Sequence, residues 1–197
     1  VPEPHVKKTG PQKVGGDGDL EIFCADEQTD VEVDISRWRE LAENVLRSQG
    51  VRGAAELTLM FVPETAIAGL NEQYMGKLGS TDVLAFPLDA VEVVRSPGPG
   101  AMSRGPERVP LDINDLPVML GDVVVCPAVA MRQAPSHAGN LDDEFALLIV
   151  HGILHVLGLD HDTDEKAQTM QAAERKLLEQ HHWGSAMPDS FRKVYES

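Results

Sequence analysis

Cysteine is scarce in this chain: Cys24 and Cys126 are the two it has, and they show no C-x-x-C spacing. So small a number excludes a disulfide framework, fits a reducing compartment and leaves both as buried core thiols. Long apolar runs are missing as well. The longest, Phe145 to Val150, falls far short of the ~20 residues a membrane span needs, so no membrane is expected as a partner. The stretch from Val1 to Gly18 mixes Lys7, Lys8 and Lys13 with glycines and lacks the apolar segment of a secretory signal. A cytoplasmic protein is the expectation, and Val1 in place of Met points to a non-Met start, processing or trimming. No internal repeat is visible. Positive charge is the last deficit: 17 Lys and Arg stand against 32 Asp and Glu, a net charge of −15. Such a balance keeps a protein soluble and opposes binding to a polyanion unless a local basic patch answers it.

What is present is a globular composition, 42% hydrophobic and 25% charged, over 197 residues. That length buries one substantial core and is short for two domains. Leu20 to Cys24 reads as a strand. Asp34 caps a helix whose apolar positions, Ile35, Trp38, Leu41, Ala42, Val45 and Leu46, recur at helical spacing until Gly50. Leu57 to Val62 is a dense apolar strand, Pro63 and Glu64 open a second helix with Ile67, Leu70 and Tyr74, and Val83 to Phe86 is a strand stopped by Pro87. Four prolines and three glycines between Arg95 and Pro117 read as a long mobile loop. Met119 to Cys126 is a further strand, and a short helix then runs to about Ala134 before Pro135. Alternating strands and helices favour an α/β or mixed α+β fold. The expected organisation is one domain over 19–186, with its loop at 95–117, between a flexible tail at 1–18 and a second tail at 187–197.

Asn140 is the expected N-cap of the next helix, Asp142, Asp143 and Glu144 suit its positive end, and Phe145 to Leu157 is almost wholly apolar until Gly158. A helix apolar all round belongs at the centre of a domain. On it His151 and His155 stand four residues apart, hence on one face. Alone, the pair reads equally as core histidines with hydrogen-bonded rings. Past the Gly158 turn, however, Leu159 and Asp160 lead to His161, giving H-x-x-x-H-x-x-G-x-x-H. Three neutral imidazoles around Zn²⁺, with one position left for water, make a catalytic rather than a structural site. One zinc per chain on His151, His155 and His161 is therefore expected. Metzincin peptidases share the spacing but place Glu after the first His as general base. Here that position is Gly152, so peptide hydrolysis lacks its proton acceptor and stays a minor alternative. Zinc deaminases are excluded because their H-x-E and P-C-x-x-C elements are absent.

Weaker signals surround the motif. Asp160 reads either as a carboxylate orienting a ligand from behind or as the shaper of the turn. Asp122, opening its strand, reads as bonding local backbone. His181 and His182 end an amphipathic helix, where the dipole favours them.

The stretch His151-Gly152-Ile153-Leu154-His155-Val156-Leu157-Gly158-Leu159-Asp160-His161 resembles the signature of the YbeY family, endoribonucleases of ribosomal RNA maturation. Leu70-Asn71, Thr81 to Pro87, Leu120-Gly121-Asp122 and Met170 with Glu174 match as well, so the likeness runs from about Leu20 to Trp183. It implies a small domain with a four-stranded mixed sheet and about five helices, carrying zinc on the central helix at the mouth of a cleft. It also implies single-stranded RNA as substrate, maturation of the small-subunit rRNA 3′ end and ribosome quality control as the process, and the small ribosomal subunit with its assembly factors as partners. Lys77 and Arg132 are the candidate RNA-phosphate contacts. One departure stands out: the family commonly has an Arg before the Gly-Lys pair, and here Met75 precedes Gly76 and Lys77, so no role of that Arg carries over. The rival reading is a metal that only ties the central helix to the next segment in a non-catalytic ribosome assembly factor. Whether water or the substrate 2′-OH attacks is left open.

Overall fold

The computed structural model describes residues 20–88 and 117–195. Strands β1 (Leu20–Asp26), β2 (Ala55–Phe61), β3 (Val83–Pro87) and β4 (Val118–Val125) form one sheet in the order β1-β2-β4-β3. The first, second and fourth run parallel, and β3 lies antiparallel to β4 at the edge. Among the described residues five helices accompany it: α1 (Ile35–Ser48), α2 (Glu64–Met75), α3 (Pro127–Gln133), α4 (Leu141–Val156) and α5 (Asp164–Leu178). A 3₁₀ turn at Ala134–Ser136, a π-helical turn at Glu179–Trp183 and a 3₁₀ segment at Asp189–Tyr195 complete the described chain. The mixed four-stranded α/β expectation holds, and the strand ends fall within two residues of those read from the sequence.

The alternation along β2 sets the layers. Ala55, Leu57, Leu59 and Phe61 are buried, while Glu56, Thr58 and Met60 between them are partly exposed, the period-two signature of a strand with unequal faces. Onto the first face pack α1 and α4. Trp38 meets Phe145 edge-on with ring centroids 5.6 Å apart, and Phe61 meets Phe145 at 6.0 Å. On the opposite face α2 covers a smaller cluster in which Ile67 meets Val62, Leu84, Val124 and Cys126. From Asp143 to Val156 every residue of α4 is buried except His151 and His155, which are half-buried. Each fully buried aliphatic side chain of this helix contributes about 1.5–3 kcal/mol, so its position is the most strongly specified in the domain.

Several expectations change. The segment from Met187 is not a loose tail: Phe191 is fully buried against the Trp183 ring, because an aromatic side chain finds a socket at the end of α5. The short helix does end at Gln133, within one residue of the expected Ala134, and Pro135 then sits at the start of a 3₁₀ turn, where a missing N–H costs nothing. The acidic first turn of α4 is only partly a dipole feature, since Asp143 and Glu144 are buried on histidine partners while Asp142 alone pairs outward, with Arg37 at 2.9 Å. Likewise His181 and His182 lie in the π-helical turn and hydrogen-bond Ser48 and Asp143, each at 2.7 Å. Cys24 and Cys126 are free and buried, and burial pushes the Cys24 thiol up to about 11. No helix among the described residues is long and apolar enough to cross a membrane. The tail expected at 1–18 and the loop expected at 95–117 lie outside the described residues, Pro117 excepted.

Candidate metal centre

His151 and His155 occupy successive turns of one face of α4. After Leu157 the chain reverses through Gly158, whose φ is +86°. The Gly158 N–H bonds the His155 carbonyl and the Leu159 N–H bonds the Leu154 carbonyl, each at 2.9 Å. This is the Schellman closure, which wants a left-handed residue where the glycine stands. The turn brings the His161 ring to 5.0 Å from that of His155 and 5.7 Å from that of His151. One ring nitrogen from each of the three lies within 4.8 Å of the others. Asp160 accepts the His161 backbone N–H at 2.7 Å, so of its two readings the structure favours the turn.

The carboxylate behind a ligand is instead Glu174. It is buried on the inner stripe of α5 with Met170, Leu177 and Leu178, and it accepts from His151 Nδ1 at 2.7 Å. The Nε2 atoms of His151 and His155 face each other at 3.1 Å. Two nitrogens at the usual distance from a tetrahedral zinc stand about 3.3 Å apart, so the donor set fits the ion. Burial first, and the neighbouring His151 and His161 second, push the His155 pKa below the ordinary imidazole value, which favours the neutral form that a metal requires.

Two cavities, of about 340 and about 480 Å³, flank this centre and share His151 and Val83 as a wall. The first is walled further by Glu174, His161, Gln171, Tyr195 and His137. Burial, then the Glu174 carboxylate, pushes the Tyr195 phenol upward. The second runs along Met75, Leu84, Pro87, His155 and Asp160. Neither has a Lys or Arg in its described walls. Met75 therefore faces the cleft. Lys77 is exposed at the end of α2 and lines neither cavity, nor does Arg132. The Arg132 guanidinium is instead forked onto Glu64 at 2.7 and 2.8 Å and holds that carboxyl down at about 2. The structure brings the three histidines together but neither candidate RNA contact to them. Asp122 sits within β4, opposite Thr58 and Phe86, and the local backbone bond expected of its side chain is not found among the described residues.

Gly152 has a packing reason. A Cβ there would come 2.6 Å from Val123 Cγ1 on β4, so the approach of α4 to the sheet leaves no room for the glutamate of a peptidase. Sequence reasoning missed His137, Gln133 and the buried Glu144, and met Glu174 only as a family match. A Glu in the apolar stripe between Met170 and Leu177 was a usable signal, since buried charge is informative. The other three come from separate elements and give none.

The family model of Endoribonuclease YbeY matches residues 23–182. Endoribonuclease YbeY of Acidothermus cellulolyticus is 41% identical to this chain over 152 residues, 77% of this chain and 85% of that protein. Its namesake in Salinispora tropica is 39% identical over 151 residues, covering 77% and 90%. The solution structure of TM1509 from Thermotoga maritima, 23% identical, matches 84% of this chain and 89% of that one with a TM-score of 0.51, a likeness of fold. The family match takes in all four strands in whole or part, the helix bearing His151 and His155, and the turn bearing His161, and on that ground the chain belongs to the YbeY endoribonuclease family.

Proposed function

We propose that this chain is a zinc-dependent endoribonuclease that cuts single-stranded RNA in the cytoplasm, in maturation of the small-subunit rRNA 3′ end and in ribosome quality control, with the small ribosomal subunit and its assembly factors as partners. One observation carries the reading: three histidine nitrogens converge where two cavities meet, a site open to a strand passing through rather than sealed as a structural staple. Zinc held by His151, His155 and His161 would supply a Lewis acid that stabilises charge on the phosphodiester as it breaks. The chain's own residues prepare that chemistry. Glu174 accepts from His151 Nδ1 and so aims the Nε2 of that ring inward. Gly158 returns the chain so that a third imidazole reaches the same point. Met75, Leu84 and Pro87 offer an apolar wall suited to bases rather than to phosphates, in keeping with the net charge of −15. The space at Gly152 argues against the peptidase alternative.

Metal analysis and an RNA cleavage assay on the same preparation test the proposal. The expected outcome is about one zinc per chain, with cleavage of single-stranded RNA by the wild type. His155→Ala should remain folded and lose both metal and cleavage. A fully metallated wild type that binds ribosomal subunits but never cuts RNA would favour the assembly-factor reading instead.

A further inference from the structure

The link between α3 and α4 holds another histidine beside the centre. His137 meets both carboxylate oxygens of Glu144 with its Nδ1, each at 3.0 Å. Glu144 is fully buried and also accepts from the Gln133 side chain at 2.8 Å and from the Ala138 backbone N–H at 3.2 Å. The Gln133 amide donates in addition to Asp82, which itself takes the Val83 N–H at 2.8 Å. An ionised carboxylate only accepts, so the His137 Nδ1 carries a proton in either charge state of the ring. With Nδ1 turned to the buried carboxylate, the exposed edge of the ring is the Nε2 edge, and His137 lines the cavity that His151 and His161 also line.

The placement decides between two roles. Glu144 precedes His151 by seven residues, two turns along the same face of α4, so their Cα atoms are about 10 Å apart. His137, seated on Glu144, is displaced along the cavity from the three-histidine centre. Such a displacement suits neighbouring phosphates of one strand rather than two oxygens of one phosphodiester. We propose that His137 is a substrate-binding residue, its Nε2–H donating to a phosphate oxygen adjacent to the bond cut at the metal centre. The inference rests on the nuclease reading above. The described cavity walls hold no Lys or Arg, so an imidazole pre-oriented by a buried carboxylate is the donor nearest the strand, and its bond to an anionic phosphate is charge-assisted. The charged and titratable groups around it are Glu144 of α4, Asp82 ahead of β3 acting through Gln133, His151 and His161 across the cavity, Glu174 of α5 and Tyr195 of the final segment.

The test uses the metal-loaded full chain and a fluorescently labelled single-stranded RNA oligonucleotide, with wild type beside His137→Ala and His137→Gln. Metal content should match across the three, while His137→Ala, which takes a partner from the buried Glu144, should melt lower than His137→Gln. Both variants should raise KM and Kd about tenfold and leave kcat within about a factor of two. Unchanged Kd in a folded variant would overturn the assignment. So would a fall in kcat at constant KM, which would put His137 on the reacting phosphate. Should His137→Ala fail to fold, His137→Gln, which keeps a donor toward Glu144, carries the same readouts. A wild type that neither binds nor cuts the RNA defeats the nuclease reading and this inference together. A wild type that cuts, beside variants that behave like it, defeats the inference alone.

Discussion

His151 and His182 each meet a buried carboxylate at 2.7 Å, Glu174 in one case and Asp143 in the other, yet the two contacts do different things. The His151 side chain stays 29% exposed and its second nitrogen looks into the cleft; that of His182 is 6% exposed and lies between Trp38 and Trp183. Asp143 also takes the Trp183 indole N–H and the Asn140 amide, each at 2.7 Å. The sealed pair fastens the π-helical turn to the first turn of α4, while the open pair aims a nitrogen. Contact length is silent about role. What the other ring nitrogen faces separates an anchor from a metal ligand.

The sealed pair gives the largest expected effect. Asp143→Ala leaves the buried His182 ring and the Trp183 indole without their acceptor, a loss of about 3–5 kcal/mol measurable by urea unfolding. The molecules that remain folded should still bind metal as the wild type does. Wild-type stability with depleted metal would reverse the comparison.

Glu174→Gln probes the open pair. Its carbonyl oxygen can still accept the His151 Nδ1–H, but the charge that raises the basicity of the ligand is gone. Metal affinity, measured by chelator competition, should fall about 10- to 100-fold, with less loss of stability than in Asp143→Ala. A variant that unfolds as readily as Asp143→Ala while holding metal normally would make Glu174 an anchor too.

The smallest effect belongs to a pair with no seal at all. Glu64 and Arg132 are exposed, and the Glu64 carboxyl, held by the guanidinium and by Ser80, lies at about 2 instead of the ordinary 4.5. A depressed carboxyl stabilises the fold fully above its unfolded value, and the contribution fades as pH falls through the folded one. The stability gap between wild type and Arg132→Ala should thus be small at neutral pH, shrink as pH drops from 4.5 toward about 2, and shrink again with added salt. Denaturant titrations over pH and salt check this. A large gap that ignores salt would mean that Arg132 works through packing instead.

Much of this molecule was legible in the order of its residues. Helix ends and strand cores announce themselves through local rules, as Asp34, Asn140 and Gly158 did, and the three histidines sit within eleven residues of one another. What could not be read depends on distant elements meeting. Glu144 looks like one more acid at a helix start until α3 delivers Gln133 and His137 to it. Asp143 looks the same until the chain returns with His182. Phe191 passed for tail because a single aromatic has no period to betray its burial.

The final 3₁₀ segment bears on how the protein is handled. Phe191 seats that segment in the core, and Val194 and Tyr195 reach the wall of the cavity that His151 and His161 line. A peptide fused after Tyr195 sets out from the rim of the metal centre. A polyhistidine tag in that position would add imidazoles beside the three that matter and inflate every zinc count. β1, by contrast, begins at Leu20 on the sheet edge opposite β3, away from the Val83 wall that the two cavities share.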